Sequence, residues 1–136
     1  MKTKFNHRGF TLVELLTAIV LIGILASIMV GRFMVAKDRA HVTAAQSDVD
    51  HFRKALSVYS VDYGLFPDEI YNDPTSLSAD LVDPVGNPYM ITPDGRNFGT
   101  FTYSPVDAGE QYEIQVEALD QAHTVIVATA DGMALQ

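Results

Sequence analysis

Arg8-Gly9-Phe10-Thr11-Leu12-Val13-Glu14-Leu15-Leu16 opens the stretch whose reading decides the fold. Between Arg8 and Arg32 lie 23 residues whose only charged side chain is Glu14. As helix, Phe10 to Gly31 spans roughly 33 Å, about one hydrocarbon core. An isolated carboxylate costs at least a few kcal/mol in lipid, so Glu14 marks a function rather than packing. The cation to offset it would be a new amino terminus, if the chain were cut between Gly9 and Phe10; Phe10 and Glu14 are four apart on one helix, so a pair within a single copy is open beside a pair between copies. A plain uncleaved anchor explains the apolar length but not an acid so close after Gly-Phe. An ordinary secretory signal has a shorter apolar run and an A-x-A-like site, which is missing here.

Beyond Arg32 the helical pattern continues. Val42, Ala45, Val49, Phe52, Leu56, Tyr59 and Tyr63 recur three and four apart, with Asp38, Gln46, Asp48, Asp50, Arg53 and Lys54 on the other face. Gly64 and Pro67 then form a stop signal. One helix from about Phe10 to Tyr63 is implied, roughly 80 Å long. No compact domain of 136 residues buries such a helix, so lipid or other copies of the chain must cover its first half. Gly23, Ser27 and Gly31, four apart, suit close helix–helix approach, and equally suit the ordinary tolerance of glycine in membrane helices. Gly31 is also a weak point where the helix can bend.

Leu65 to Arg96 holds every proline except Pro105, with Asp-Pro at 73–74 and 83–84 and Asn-Pro at 87–88, a turn-rich region. Thr75 to Leu81 fits one short helical piece. The last third reads as β: Phe98 to Tyr103, Tyr112 to Ala118 with alternating apolar residues, and Thr124 to Thr129. The gaps Val106–Glu110 and Leu119–Ala122 suit hairpin loops. Three antiparallel strands need a covering surface, and the stripe ending at Tyr63 supplies it. The fold class is α+β: a long N-terminal helix, half membrane-embedded and half amphipathic, packed on a small C-terminal antiparallel β-sheet.

Composition excludes several functions. Once residues 1–9 are removed, Lys plus Arg falls from 9 to 6 while Asp plus Glu stays at 17, a formal charge of −11. Between Pro67 and Gln136 Arg96 is the only Lys or Arg, so the surface repels nucleic acid, and no direct nucleic-acid partner is expected. Without cysteine there is no disulfide frame. The chain lacks G-x-S-x-G, H-E-x-x-H and a phosphate-cradling glycine loop, and reads as no enzyme. His41 and His51, ten apart, point about 80° from each other and read as solvated side chains. His123 stands alone in a hairpin.

Lys2, Lys4 and Arg8, then Gly9, then Phe10 to Leu16, resemble the class III leader of type IV prepilins and pseudopilins. Asp83-Pro84-Val85-Gly86-Asn87-Pro88-Tyr89 is similar to the Asp-Pro-Trp-Gly-Asn-Pro-Tyr turn of major pseudopilins of type II secretion systems, with Val85 replacing Trp. Tyr59, Asp62-Tyr63-Gly64 and Phe66-Pro67 match the family's helix exit. Gly31 stands where many members have a bending proline. The missing cysteines favour the pseudopilin branch over type IV pilins, many of which carry a disulfide.

The resemblance implies the pilin fold and three segments: a leader at 1–9, a transmembrane and filament-core helix at 10–31, and a periplasmic domain at 32–136. A prepilin peptidase is implied to cut after Gly9 and methylate Phe10, with Glu14 serving subunit assembly. Implied partners are a homo-polymer, an inner-membrane assembly platform, minor pseudopilins, and lipid before assembly. Arg32, Lys37 and Arg39 balance the three leader cations, so charge alone does not orient the segment. The resemblance places the leader in the cytoplasm and the remainder outside, in a single pass through the inner membrane. Its main implication is a subunit of a pseudopilus-like filament that drives type II secretion. An extracellular type IV pilus subunit and a membrane-tethered periplasmic binding module that never polymerises are the alternatives. Major pseudopilins bind calcium near the end of the sheet, and Ala130-Asp131-Gly132 resembles the opening of that loop. This makes Asp107 and Asp131 the candidate calcium ligands, against a reading as plain hydrated turn acids.

Overall fold

The stripe from Val42 to Tyr59 finds its sheet, whereas Tyr63 stays 45% exposed, stacked on Tyr59. The computed structural model describes residues 10–93 and 95–136. The chain divides into two compact units, one ending at Ala36 and one spanning Lys37–Gln136. Helix α1 (Leu12–Tyr63) runs uninterrupted, with Gly23 and Gly31 inside it. Gly64, at φ +82°, adopts the left-handed conformation that closes a helix, and its N–H reaches back to the Ser60 carbonyl at 2.9 Å.

In the second unit α1 buries Ala45, Val49, Phe52, Ala55 and Leu56. They join a core with Tyr103, Tyr112, Ile114, Val116, Ile126 and Ala128. The sheet is an antiparallel meander in the order β1 (Phe98–Val106), β2 (Gln111–Ala118), β3 (Val125–Thr129) and β4 (Met133–Leu135). Along β2 the buried residues are Tyr112, Ile114, Val116 and Ala118, the inward half of the expected alternation. Phe52 meets Phe101 at a ring separation of 5.2 Å, which locks helix to sheet.

Three details depart from the sequence reading. The sheet has four strands rather than three, and β1 continues through Pro105 to Val106. Proline is tolerated there because β1 is an edge strand and needs no N–H donor on its open side. A register shift between Phe98 and Phe101 breaks the alternation, so both phenylalanines are buried although they are three apart.

The loop region is held from several sides. Short helix α2 (Pro74–Asp80) starts where Asp73 accepts from the Ser76 N–H at 2.8 Å, and it contributes Leu77 to the core. Leu81, its C-terminal neighbour, is also fully buried. Tyr71 bridges antiparallel to Tyr103 outside the sheet proper. The Tyr103 hydroxyl, inside the core, donates to the Pro67 carbonyl at 2.8 Å, and burial pushes its pKa up.

Candidate functional site

The candidate site begins at the N-terminal end of α1. Gly9 lies outside the described residues, so the cut site is represented by Phe10 alone, with its side chain 86% exposed. Glu14 is not solitary. Its Oε2 accepts from the Thr11 N–H at 2.9 Å and from the Thr11 hydroxyl at 2.8 Å. The Glu14 N–H in turn donates to Thr11 Oγ1 at 3.2 Å. This reciprocal pair is a capping box: Thr11 is the N-cap, Glu14 the third helical residue, and each satisfies a donor that the first turn leaves unpaired. Thr11 is the site residue that the sequence reading passed over. Its signal was present as Thr-x-x-Glu immediately before an apolar run.

From Phe10 to Lys37 every side chain is exposed in the single chain. Thirteen large apolar residues between Leu12 and Val30 are among them. Covering them is worth about 1.5–3 kcal/mol each, on the order of 20–40 kcal/mol together. That exceeds the 5–15 kcal/mol by which a domain is typically stable, so this surface does not remain in water. The helix is long and apolar enough to cross a membrane, with a mean hydropathy of 2.5 in its most apolar window. It is suited to membrane anchoring.

The Asp83–Tyr89 turn is built around one carboxylate. Asp83 Oδ1 accepts from the N–H groups of Val85 at 2.9 Å and Asn87 at 2.7 Å, and Oδ2 from the Asn87 amide at 2.9 Å. The Asn87 side chain, then the backbone donors, hold the Asp83 pKa below its ordinary value. Gly86 sits at φ +97°, where a side chain would be strained. Two tyrosines tie the turn region to the end of α1: Tyr63 donates to the Val82 carbonyl at 3.1 Å, and the Tyr89 hydroxyl donates to Asp62. Val85, at the tip, is 87% exposed.

Asp107 and Asp131 lie at one end of the sheet, past the C-terminal ends of β1 and β3. Strand β2 runs between those two strands. Among the described residues no group of three or more His, Cys, Asp or Glu is arranged to hold a metal ion. A cation there would have to draw most of its oxygens from backbone carbonyls. His123, read as solitary, instead pairs through Nδ1 with Glu117 across the β2–β3 turn. His51 is exposed and His41 partly so.

Residues 4–30 match the prokaryotic N-terminal methylation motif. The type II secretion system core protein G of Escherichia coli K12 is 30% identical over 135 residues, covering 86% of this chain and 91% of the relative. That of Aeromonas hydrophila is 32% identical over 111 residues, 68% of this chain and 78% of the relative. The chain belongs to the type II secretion system core protein G family. A third member of that family, from Klebsiella michiganensis, is 40% identical over 62 residues, 46% of this chain and 44% of the relative. Membership bears out the resemblance drawn from Arg8–Leu16 and Asp83–Tyr89. It favours the secretion-filament reading over the extracellular pilus and over a module that never polymerises.

Proposed function

We propose that the chain is a pseudopilin: a structural subunit that waits in the inner membrane and is drawn into a short helical filament during type II protein secretion. The observation that carries this is the conjunction of an exposed, membrane-length apolar helix with one acid in its first turn. Membership of the core protein G family supports it. Residues 1–9 are a leader, cut by a prepilin peptidase after Gly9, and Phe10 becomes the methylated N-terminus. Gly9 offers no side chain to obstruct the cut. Residues 10–31 span the membrane and later line the filament core, and 32–136 form the periplasmic domain. Partners are further copies, minor pseudopilins and an inner-membrane assembly platform. Calcium at Asp107 and Asp131, with carbonyl oxygens, would brace the turns at that end of the sheet.

Glu14 is the docking residue. Both Thr11 donors fall on Oε2, and Oε1 receives no hydrogen bond among the described residues. A carboxylate has lone pairs to spare, so Oε1 is open to the Phe10 amine of a subunit already in the filament. Pairing of those charges away from water favours one axial register. Glu14→Ala is expected to insert in the membrane, to give the mass of a chain starting at Phe10, and to be incorporated poorly into filaments when mixed with unsubstituted copies. Electron microscopy and the fraction incorporated decide it. Normal incorporation into filaments of normal length removes the docking role, and an uncut mass in a peptidase-positive cell removes the processing.

A further inference from the structure

Charge is divided unevenly along the folded unit. Residues 64–136 carry twelve Asp and Glu against Arg96 alone, whereas 37–63 carry four cations, Lys37, Arg39, Arg53 and Lys54, with four aspartates. Copies repel through their sheets and loops, so a contact between copies is favoured where it sets a helix cation against a loop acid.

Two concave surfaces of the second unit offer these opposites. One is a cleft of about 340 Å³ in which Arg53 and Lys54 stand beside Phe66 and Tyr112. Arg53 is committed inward, its Nε donating to the Thr129 carbonyl at 3.2 Å and its guanidinium lying 3.4 Å from Asp50. Lys54 is not. Its side chain is 70% exposed, and its ion pair among the described residues is with Asp50 at 2.8 Å, one turn away on the same helix. An exposed pair of this kind is weak and readily exchanged.

The other surface is a groove of about 460 Å³ walled by Tyr59 and Tyr71 and edged by Asp68, Glu69 and Asp80. Asp80 gives one oxygen to the Tyr71 hydroxyl at 2.6 Å. Asp68 and Glu69 are exposed and make no hydrogen bond or ion pair among the described residues. Exposed carboxylates beside a partly exposed tyrosine suit an alkylammonium: the acids take its charge, and Tyr59 lies along its stem.

We infer that Lys54 of one copy docks into the Asp68–Glu69 groove of the next. The two surfaces are different patches of one chain, so the contact is heterologous and propagates instead of closing as a two-fold pair. The inference rests on the filament reading above and adds a periplasmic contact to it.

The chain has no cysteine, which allows a test without background. Full-length Lys54→Cys and Glu69→Cys copies are produced together with the prepilin peptidase and oxidised. At least tenfold more disulfide-linked dimer is expected from the mixture than from either variant alone. In parallel, Lys54→Glu should lower incorporation about tenfold, and Glu69→Lys copies should restore it. Both positions are exposed, and circular dichroism confirms that each variant is folded. Filaments without a mixed crosslink overturn the contact and leave the filament reading standing. A Lys54→Cys homodimer as abundant as the mixed one also overturns it, because it signals a two-fold pairing. Absence of filaments from the unsubstituted chain overturns both.

Discussion

At the scale of single residues, the chain places unusual backbone where two segments must meet closely. Asp107, Ala108 and Gly109 are consecutive left-handed residues, at φ +51°, +55° and +84°. Gly109 is enforced twice. A Cβ there would stand 2.8 Å from the Phe66 carbonyl oxygen, and the Gly109 carbonyl accepts from the Phe66 N–H at 2.8 Å. Gly109→Ala therefore meets both strain and a backbone clash, and should cost at least about 1–3 kcal/mol. A clearly lowered Tm of the 37–136 domain is expected, and an unchanged melt would place the Phe66 segment elsewhere. Glu14 illustrates how far a residue is legible. Its isolation in an apolar run is plain in the sequence, but its immediate partner was hidden until Thr11 was recognised as a cap. The sequence pattern that marks a cap is short, and here the longer apolar signal obscured it.

At the scale of elements, α1 contributes to the domain through one face. Phe52 and Leu56 are fully buried with Ile114 and Val116 in the same core. Leu56→Ala in the 37–136 unit should cost about 2–5 kcal/mol, measured by denaturant or thermal unfolding. Unchanged unfolding would mean that the stripe serves other subunits rather than the sheet. The helix and β2 were legible because each repeats one period over many residues: threes and fours from Val42 to Tyr63, twos from Tyr112 to Ala118. Strand β4 was not. Met133-Ala134-Leu135 is three residues with no β-branched side chain, and pairing with β3 rather than intrinsic preference makes it a strand. The bulge near Phe98 was equally hidden, because an inserted residue reads in sequence as a broken alternation. The docking chemistry at Asp68 and Glu69 depends on which loops converge, and no local pattern encodes that.

At the scale of the whole molecule, the acids divide into those used within the domain and those left at its surface. Asp73, Asp83 and Asp120 belong to the first group. Hydrogen bonds from Ser76, Asn87 and Thr124 respectively hold their pKa values below the ordinary 3.8. A depressed carboxylate stabilises the fold above the unfolded value and loses that contribution as pH falls through the folded one. Stability of the 37–136 unit should therefore vary little from pH 5 to 8 and decline below about 3.8. Thermal melts across that range check it, and a decline already complete at pH 5 would contradict these assignments.

The edges of the sheet carry a further consequence. Tyr71 occupies part of the outer side of β1 by pairing with Tyr103, Pro105 presents no donor there, and β4 is only three residues long. Neither border offers a long row of free amides, so a passing chain finds little to template on. For the filament subunit proposed above, packed beside its own copies, this is protection against amyloid-like stacking. It also restricts how copies recognise one another: through side chains and helix surfaces, which can release, rather than through shared β-ladders, which rarely do.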